Sequence, residues 1–198
     1  MSQLDQPLLP SAMLGILGGG QLGRFFVIAA HEMGFKVTVL DPDPKSPAGA
    51  IADIHLCKSY DDVSALEVMR NTCQGVTTEF ENVPADSMEF LSKKIHVSPS
   101  PESVRVAQYR VLEKTFLKES GLPVGPFEII REDKDIPSDT SSIYPAILKV
   151  ARFGYDGKGQ ARVASQKEAV VAFHQFSSQE CVLEKMLPLD MEVSLVLA

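Results

Sequence analysis

Very little in this sequence could cross-link or anchor the chain. Its 198 residues hold three cysteines, Cys57, Cys73 and Cys181, an odd number with no C-x-x-C pair. That suggests neither a disulfide framework nor a zinc site, and reads as three reduced, mostly buried thiols in a cytosol. There is no dense block of Lys or Arg and the formal net charge is −7, so neither nucleic acid nor an anionic membrane is expected as a partner. No apolar run approaches the roughly 18 residues needed to cross a bilayer. The opening MSQLDQPLLPSA lacks the basic start and apolar stretch of a signal peptide and reads as a disordered tail over 1–12. Repeats and low-complexity tracts are also missing. What remains is a folded, cytoplasmic protein, whose 44% hydrophobic content can fill a core.

From Met13 the chain alternates. Apolar MLGIL, a glycine turn, helix-like QLGRFFVIAAHEM and apolar KVTVLD make a β-α-β unit. DIHLC and GVTTEF read as further strands around the helix VSALEVMRNT, and ADSMEFLSKK and VLEKTFLKES as later helices. IHVSPSPES is a strand leaving into a turn that caps another helix. This predicts an α/β fold with a Rossmann-like parallel sheet and ligands beyond its carboxyl ends. After Gly121 the grammar changes to short strands around FEIIRE, YPAILKVA, GQARVA and CVLEKM, with one helix near KEAVVAFHQF, so a domain boundary is expected there. MEVSLVLA reads as a last strand.

GILGGGQLGR spells G-x-G-x-x-G through Gly18, Gly20 and Gly23, and Asp41 falls 18 residues after Gly23, near the spacing of a ribose-binding acid. The same glycines suit any β-α turn packed on a helix N-terminus, which attracts phosphate of any kind. Dinucleotide, other phosphate ligand and pure structure all stay open on this loop alone.

YPAILKVARFGYDGKGQARV carries a second glycine loop: strand-borne Lys149, then Gly154, Gly157 and Gly159 around Tyr155, Asp156 and Lys158, then another strand. It is no Walker loop, which needs G-x-x-x-x-G-K-[ST] running into a helix. Two strands joined by a glycine-rich, lysine-bearing flap can close over polyphosphate; the bland reading is an ordinary hairpin with an Asp-Gly turn. Downstream, CVLEKMLPLDME ends a strand at Glu184 and Lys185 and adds Glu192 eight residues on. Peptide groups past such a strand can read an adenine edge and a carboxylate can take ribose hydroxyls, against a plain surface ion pair. His31, His55, His96 and His174 are scattered, Ser98 and Ser100 sit among prolines, and FHQF and FF fall at helical positions. These read as surface, cap and core residues.

Together GILGGGQLGR, VTVLDPDPKSPA, TTEFENVP, QYRVLEKTFL with GLPVGPF, ILKVARFGYDGKGQ and VLEKMLPLDMEVSLV resemble, in order, the N5-carboxyaminoimidazole ribonucleotide synthetase family of ATP-grasp ligases. After the tail over 1–12, the resemblance implies a pre-ATP-grasp domain over 13–120 and the first lobe of an ATP-grasp domain over 121–198. It implies ATP-dependent carboxylation of 5-aminoimidazole ribonucleotide with bicarbonate in purine biosynthesis, with ATP and Mg²⁺ as cofactors and a homodimeric full-length enzyme. Carried over by residue, Arg110, Lys149, Gly154 to Gln160 (with Tyr155, Asp156, Gly157, Lys158 and Gly159), Glu184, Lys185, Met186, Leu187 and Glu192 belong to the ATP site. Glu79, Tyr155, Asp156 and Lys158 belong to catalysis, and Gly20, Gln21, Glu79 and Glu81 to the substrate side.

The pattern departs at Tyr109, where the family has an acid. The family also continues beyond the equivalent of Ala198, with its metal ligands there, so the chain alone is expected not to turn over and to expose an apolar edge around Val193 to Leu197. The competing expectations are a non-catalytic nucleotide-binding or dimerising fragment, and an NAD-dependent oxidoreductase using the first glycine loop.

Overall fold

The structure is a computed structural model that describes residues 7–152 and 159–194. The chain divides into two compact units, 1–107 and 108–198.

In the first unit β1 (Met13–Leu17), β2 (Lys36–Leu40), β3 (Ile54–Leu56), β4 (Gly75–Thr78) and β5 (His96–Val97) form one parallel sheet in the order β3-β2-β1-β4-β5. Four helices flank it: α1 (Gln21–Glu32), α2 (Val63–Thr72), α3 (Ala85–Ser92) and α4 (Pro101–Ala107). Alternation along β1 divides the core. Ile16 joins Val27 and Ala30 of α1 with Val37 and Val39, while Leu17 joins Leu66 and Met69 of α2 with Val76, Met88 and Leu91. Asp62 fixes the start of α2 by accepting from the Ala65 amide at 2.9 Å. Gly15 is required by close approach, because a Cβ there would meet Met69 Cε and Val76 Cγ2, each at 2.7 Å.

Residues 1–6 of the expected tail lie outside the described residues. Its other half is not a free tail: the Ser11 amide donates to the Gly34 carbonyl at 2.7 Å and the Lys36 amide to the Ala12 carbonyl at 3.0 Å.

The second unit holds α5 (Arg110–Glu119), β6 (Phe127–Ile130), a 3-10 turn at Asp133–Asp135, β7 (Ala146–Val150), β8 (Gln160–Val163), α6 (Gln166–Gln175) and β9 (Cys181–Lys185). Its antiparallel sheet runs β6-β9-β7-β8. One face carries Ala146, Leu148, Val163, Cys181 and Leu183 against Ala169, Ala172 and Phe173 of α6. On the other, Val182 and Ile129 pack with Val111 of α5. That helix, placed before the Gly121 boundary by sequence grammar, lies in the second unit.

The expected strand over MEVSLVLA is corrected in its described part: residues 191–194 have no regular structure. Pro188, close to their start, interrupts any continuous strand from β9. Residues 195–198 lie outside the described residues. Among the described residues no helix is long and apolar enough to cross a membrane.

Candidate functional site

The parallel sheet reverses its strand order at β1, between β2 and β4, so the carboxyl ends of β1 and β4 open side by side. Gly18 leaves β1 with φ +108°, a conformation only glycine adopts without strain. Glu79 leaves β4 and turns its carboxylate onto the start of α1, accepting from the Gly20 amide at 2.5 Å and the Leu22 amide at 3.2 Å. Asp41, 8% exposed, accepts from the Gly19 amide at 2.7 Å and from the Tyr60 hydroxyl at 2.8 Å. Burial and the Asp41 carboxylate push the Tyr60 phenol well above its usual range, so it stays a donor.

Three amides that a pyrophosphate would use are thus bonded to two internal carboxylates, and the acid that would bind a ribose is buried. This arrangement opposes the oxidoreductase expectation. Gln21 stands exposed in the first turn of α1 and Glu81 exposed beyond β4.

In the second unit β7 and β9 pair so that Ile147 lies opposite Glu184 and Lys149 opposite Val182. Lys149 and Glu184 are therefore diagonal neighbours on the face covered by α5. Lys149 Nζ donates to Glu184 Oε2 at 3.0 Å, and Lys114 Nζ of α5 reaches the same oxygen at 3.1 Å. Burial alone would raise the Glu184 carboxyl; the hydrogen bonds from Lys149 and Lys114 outweigh it and hold the group below the ordinary glutamate value. Glu184 Oε1 is buried with no hydrogen-bond partner among the described residues, and so is Arg110 Nε at the start of α5.

Gln160 sits opposite Lys149 on β8, and Gly159 leaves the glycine loop with φ +73° beside Val150. Beyond Glu184 the Lys185 amide donates to the Pro126 carbonyl and the Met186 amide to the Pro145 carbonyl, both at 2.9 Å. Leu187 and Glu192 are exposed in the irregular segment that follows.

The structure therefore gathers Lys149, Glu184 and Gln160 on one sheet face, with Arg110 starting the helix that covers it. In the other unit it joins Glu79 to Gly20. Gly154, Tyr155, Asp156, Gly157 and Lys158 lie outside the described residues. Lys114 was missed by sequence reasoning. Its signal was present, because it stands four residues after Arg110 and so one helical turn along the same face.

Comparison with known proteins gives this geometry a class. A family model for the ribonucleotide synthetase preATP-grasp domain matches residues 11–108, and one for the ATP-grasp domain matches residues 115–198. The chain belongs to the ATP-grasp family, with a preATP-grasp domain leading into an ATP-grasp domain. Within that class it is similar to the N-terminal part of N5-carboxyaminoimidazole ribonucleotide synthases.

The synthase of Staphylococcus aureus strain COL is 38% identical over 185 residues, 93% of this chain and 50% of that protein. The crystal structure of an ADP complex of purK, an N5-carboxyaminoimidazole ribonucleotide synthetase, superimposes with TM-score 0.85 at 36% identity, covering 94% of this chain and 50% of that one. The Aspergillus clavatus synthase in complex with ADP and 5-aminoimidazole ribonucleotide gives TM-score 0.78 at 28% identity, covering 93% and 49%. The chain spans about half the length of these relatives.

Proposed function

We propose that the second unit binds ATP and that the chain contributes to ATP-dependent carboxylation of 5-aminoimidazole ribonucleotide with bicarbonate, releasing ADP and phosphate. One observation carries the reading: Glu184, held between two lysines, keeps one buried oxygen without a hydrogen-bond partner among the described residues. A buried carboxylate oxygen wants a donor, and the exocyclic amino group of adenine is one. ATP therefore fits the residues present.

With the Lys185 and Met186 amides engaged internally, their carbonyls and the Leu187 amide remain for the adenine edge, and Glu192 for the ribose. Arg110 and Lys149 supply fixed positive charge along the phosphates, and the segment from Gly154 to Gln160 closes over them. When bound, ATP supplies the phosphoryl group that turns bicarbonate into carboxyphosphate, whose carbon is then attacked by the amine as phosphate leaves. In this reading Glu79, or Glu81 beside it, meets the aminoimidazole with Gly20 and Gln21, and orients the amine or accepts its proton. By the same resemblance Tyr155, Asp156 and Lys158 are assigned to catalysis.

Mg²⁺ belongs to this reading as the ion that accompanies ATP; among the described residues no three His, Cys, Asp or Glu side chains converge as metal ligands. A homodimeric full-length enzyme in the cytoplasm belongs to the same reading.

Calorimetric titration with ATP and magnesium tests it, with NADH and the Lys149→Ala variant as comparisons. ATP should bind and NADH should not. The variant should bind ATP roughly 10- to 100-fold more weakly, the weight of a charge-assisted hydrogen bond. Binding of NADH with none of ATP would overturn the proposal.

A further inference from the structure

Lys114 has no role in the ATP reading above, yet it shares an oxygen with that site's central carboxylate. Its side chain is 18% exposed, that of Lys149 22% and that of Glu184 14%. Two ammonium groups converge on Glu184 Oε2, while Oε1 is buried and unpartnered among the described residues. One lysine is enough to neutralise one carboxylate. The second becomes necessary if the first is drawn away.

We propose that Lys114 is a positioning residue for base recognition: it holds Glu184 in place as a charged acceptor for the adenine amino group while Lys149 turns to the phosphates. This rests on the ATP reading of the second unit. The two lysines differ in what carries them. Lys149 lies on β7, next to the glycine loop that follows that strand, and Lys114 lies on α5, whose Val111 packs into the apolar cluster with Val182. A phosphate that attracts Lys149 leaves Lys114 as the cation beside Glu184.

Among the described residues Lys114 and Lys149 are the cations paired with Glu184. From α5 the neighbouring charges are Arg110 and Lys118, the latter over the Phe127 ring at 5.7 Å from its centroid. From β8 the same face carries Gln160 and Arg162, and from β6 it carries Phe127 and Ile129. The next carboxylate on that face of the β9 segment, Glu180, is engaged by Tyr109 and Arg131. Without Lys114, burial would favour the protonated Glu184, which burial already pushes upward. A protonated carboxyl can donate as well as accept, so it no longer distinguishes the amino group of adenine from the carbonyl of hypoxanthine.

The test is the ratio of ATP to ITP affinity, measured by titration calorimetry at about pH 8 and about pH 6, either side of the range in which a desolvated carboxyl can titrate. The unaltered chain should prefer ATP by roughly tenfold or more at both, the usual weight of a matched against a mismatched buried hydrogen bond. Lys114→Met should lose most of that preference at the lower pH and recover part of it at the higher one; Lys114→Arg should restore it throughout. Glu184→Gln should abolish the preference at both, which decides the matter even if Lys114→Met fails to fold.

An equal weakening of ATP and ITP at both pH values in Lys114→Met, or a Glu184→Gln chain that still prefers ATP, would overturn the inference and leave the ATP reading standing. An unaltered chain that binds neither nucleotide would overturn the ATP reading itself, and this inference with it.

Discussion

Glu184 couples stability to pH at the level of a single residue. Its carboxyl titrates below the ordinary 4.5, because hydrogen bonds from Lys149 and Lys114 outweigh a burial that would raise it. A folded-state value depressed below the unfolded one contributes stability above the unfolded value, and that contribution is lost as pH falls through the folded one. Denaturant melts of the second unit should therefore weaken below about pH 4.5, and Glu184→Gln should flatten that part of the profile. Tyr60 poses a different case: its hydroxyl supports Asp41, which in turn holds the Gly19 amide. Removing it in Tyr60→Phe should cost about 1 kcal/mol in a urea titration, the net weight of one half-buried hydrogen bond.

At the scale of elements the second unit stands on α6. Ser165 caps it, its hydroxyl accepting from the Glu168 amide at 3.2 Å, and Phe173 is 1% exposed against the sheet. Ser165→Ala should cost about 1 kcal/mol and Phe173→Ala about 3–5 kcal/mol, the larger loss reflecting the cavity left behind. Hydrogen exchange should speed up in β7, β8 and β9 for both.

Elements whose period is written locally were legible: VSALEVMRNT is α2 to the residue, because its apolar positions recur three and four apart. The glycine turn after β1 and the lysine-bearing β7 were equally plain. The diagonal between Lys149 and Glu184 was not, because it depends on the register of two strands 35 residues apart, set by the packing of Leu148 and Leu183 on the opposite face. Lys114 was hidden for the same reason, since a helix face does not name the strand it will cover.

For the molecule as a whole, two glycine loops compete for the nucleotide, and the chemistry around them separates them. The first opens at a switch point that favours ligands, but its amides at Gly19, Gly20 and Leu22 are engaged by Asp41 and Glu79. The second follows a strand whose lysine meets a carboxylate with a buried oxygen left unpartnered among the described residues. Sequence grammar puts the boundary between the units at Gly121, whereas α5 goes with the second unit; an amphipathic helix records that one face is buried but not which sheet buries it.

The most direct test maps ATP onto the chain by hydrogen exchange with and without nucleotide. Protection should appear in Ala146–Val150 and in Cys181–Lys185 through Leu187, with the turn from Gly18 to Leu22 unchanged. Protection of that first turn by ATP, with none on β7 and β9, would contradict the account.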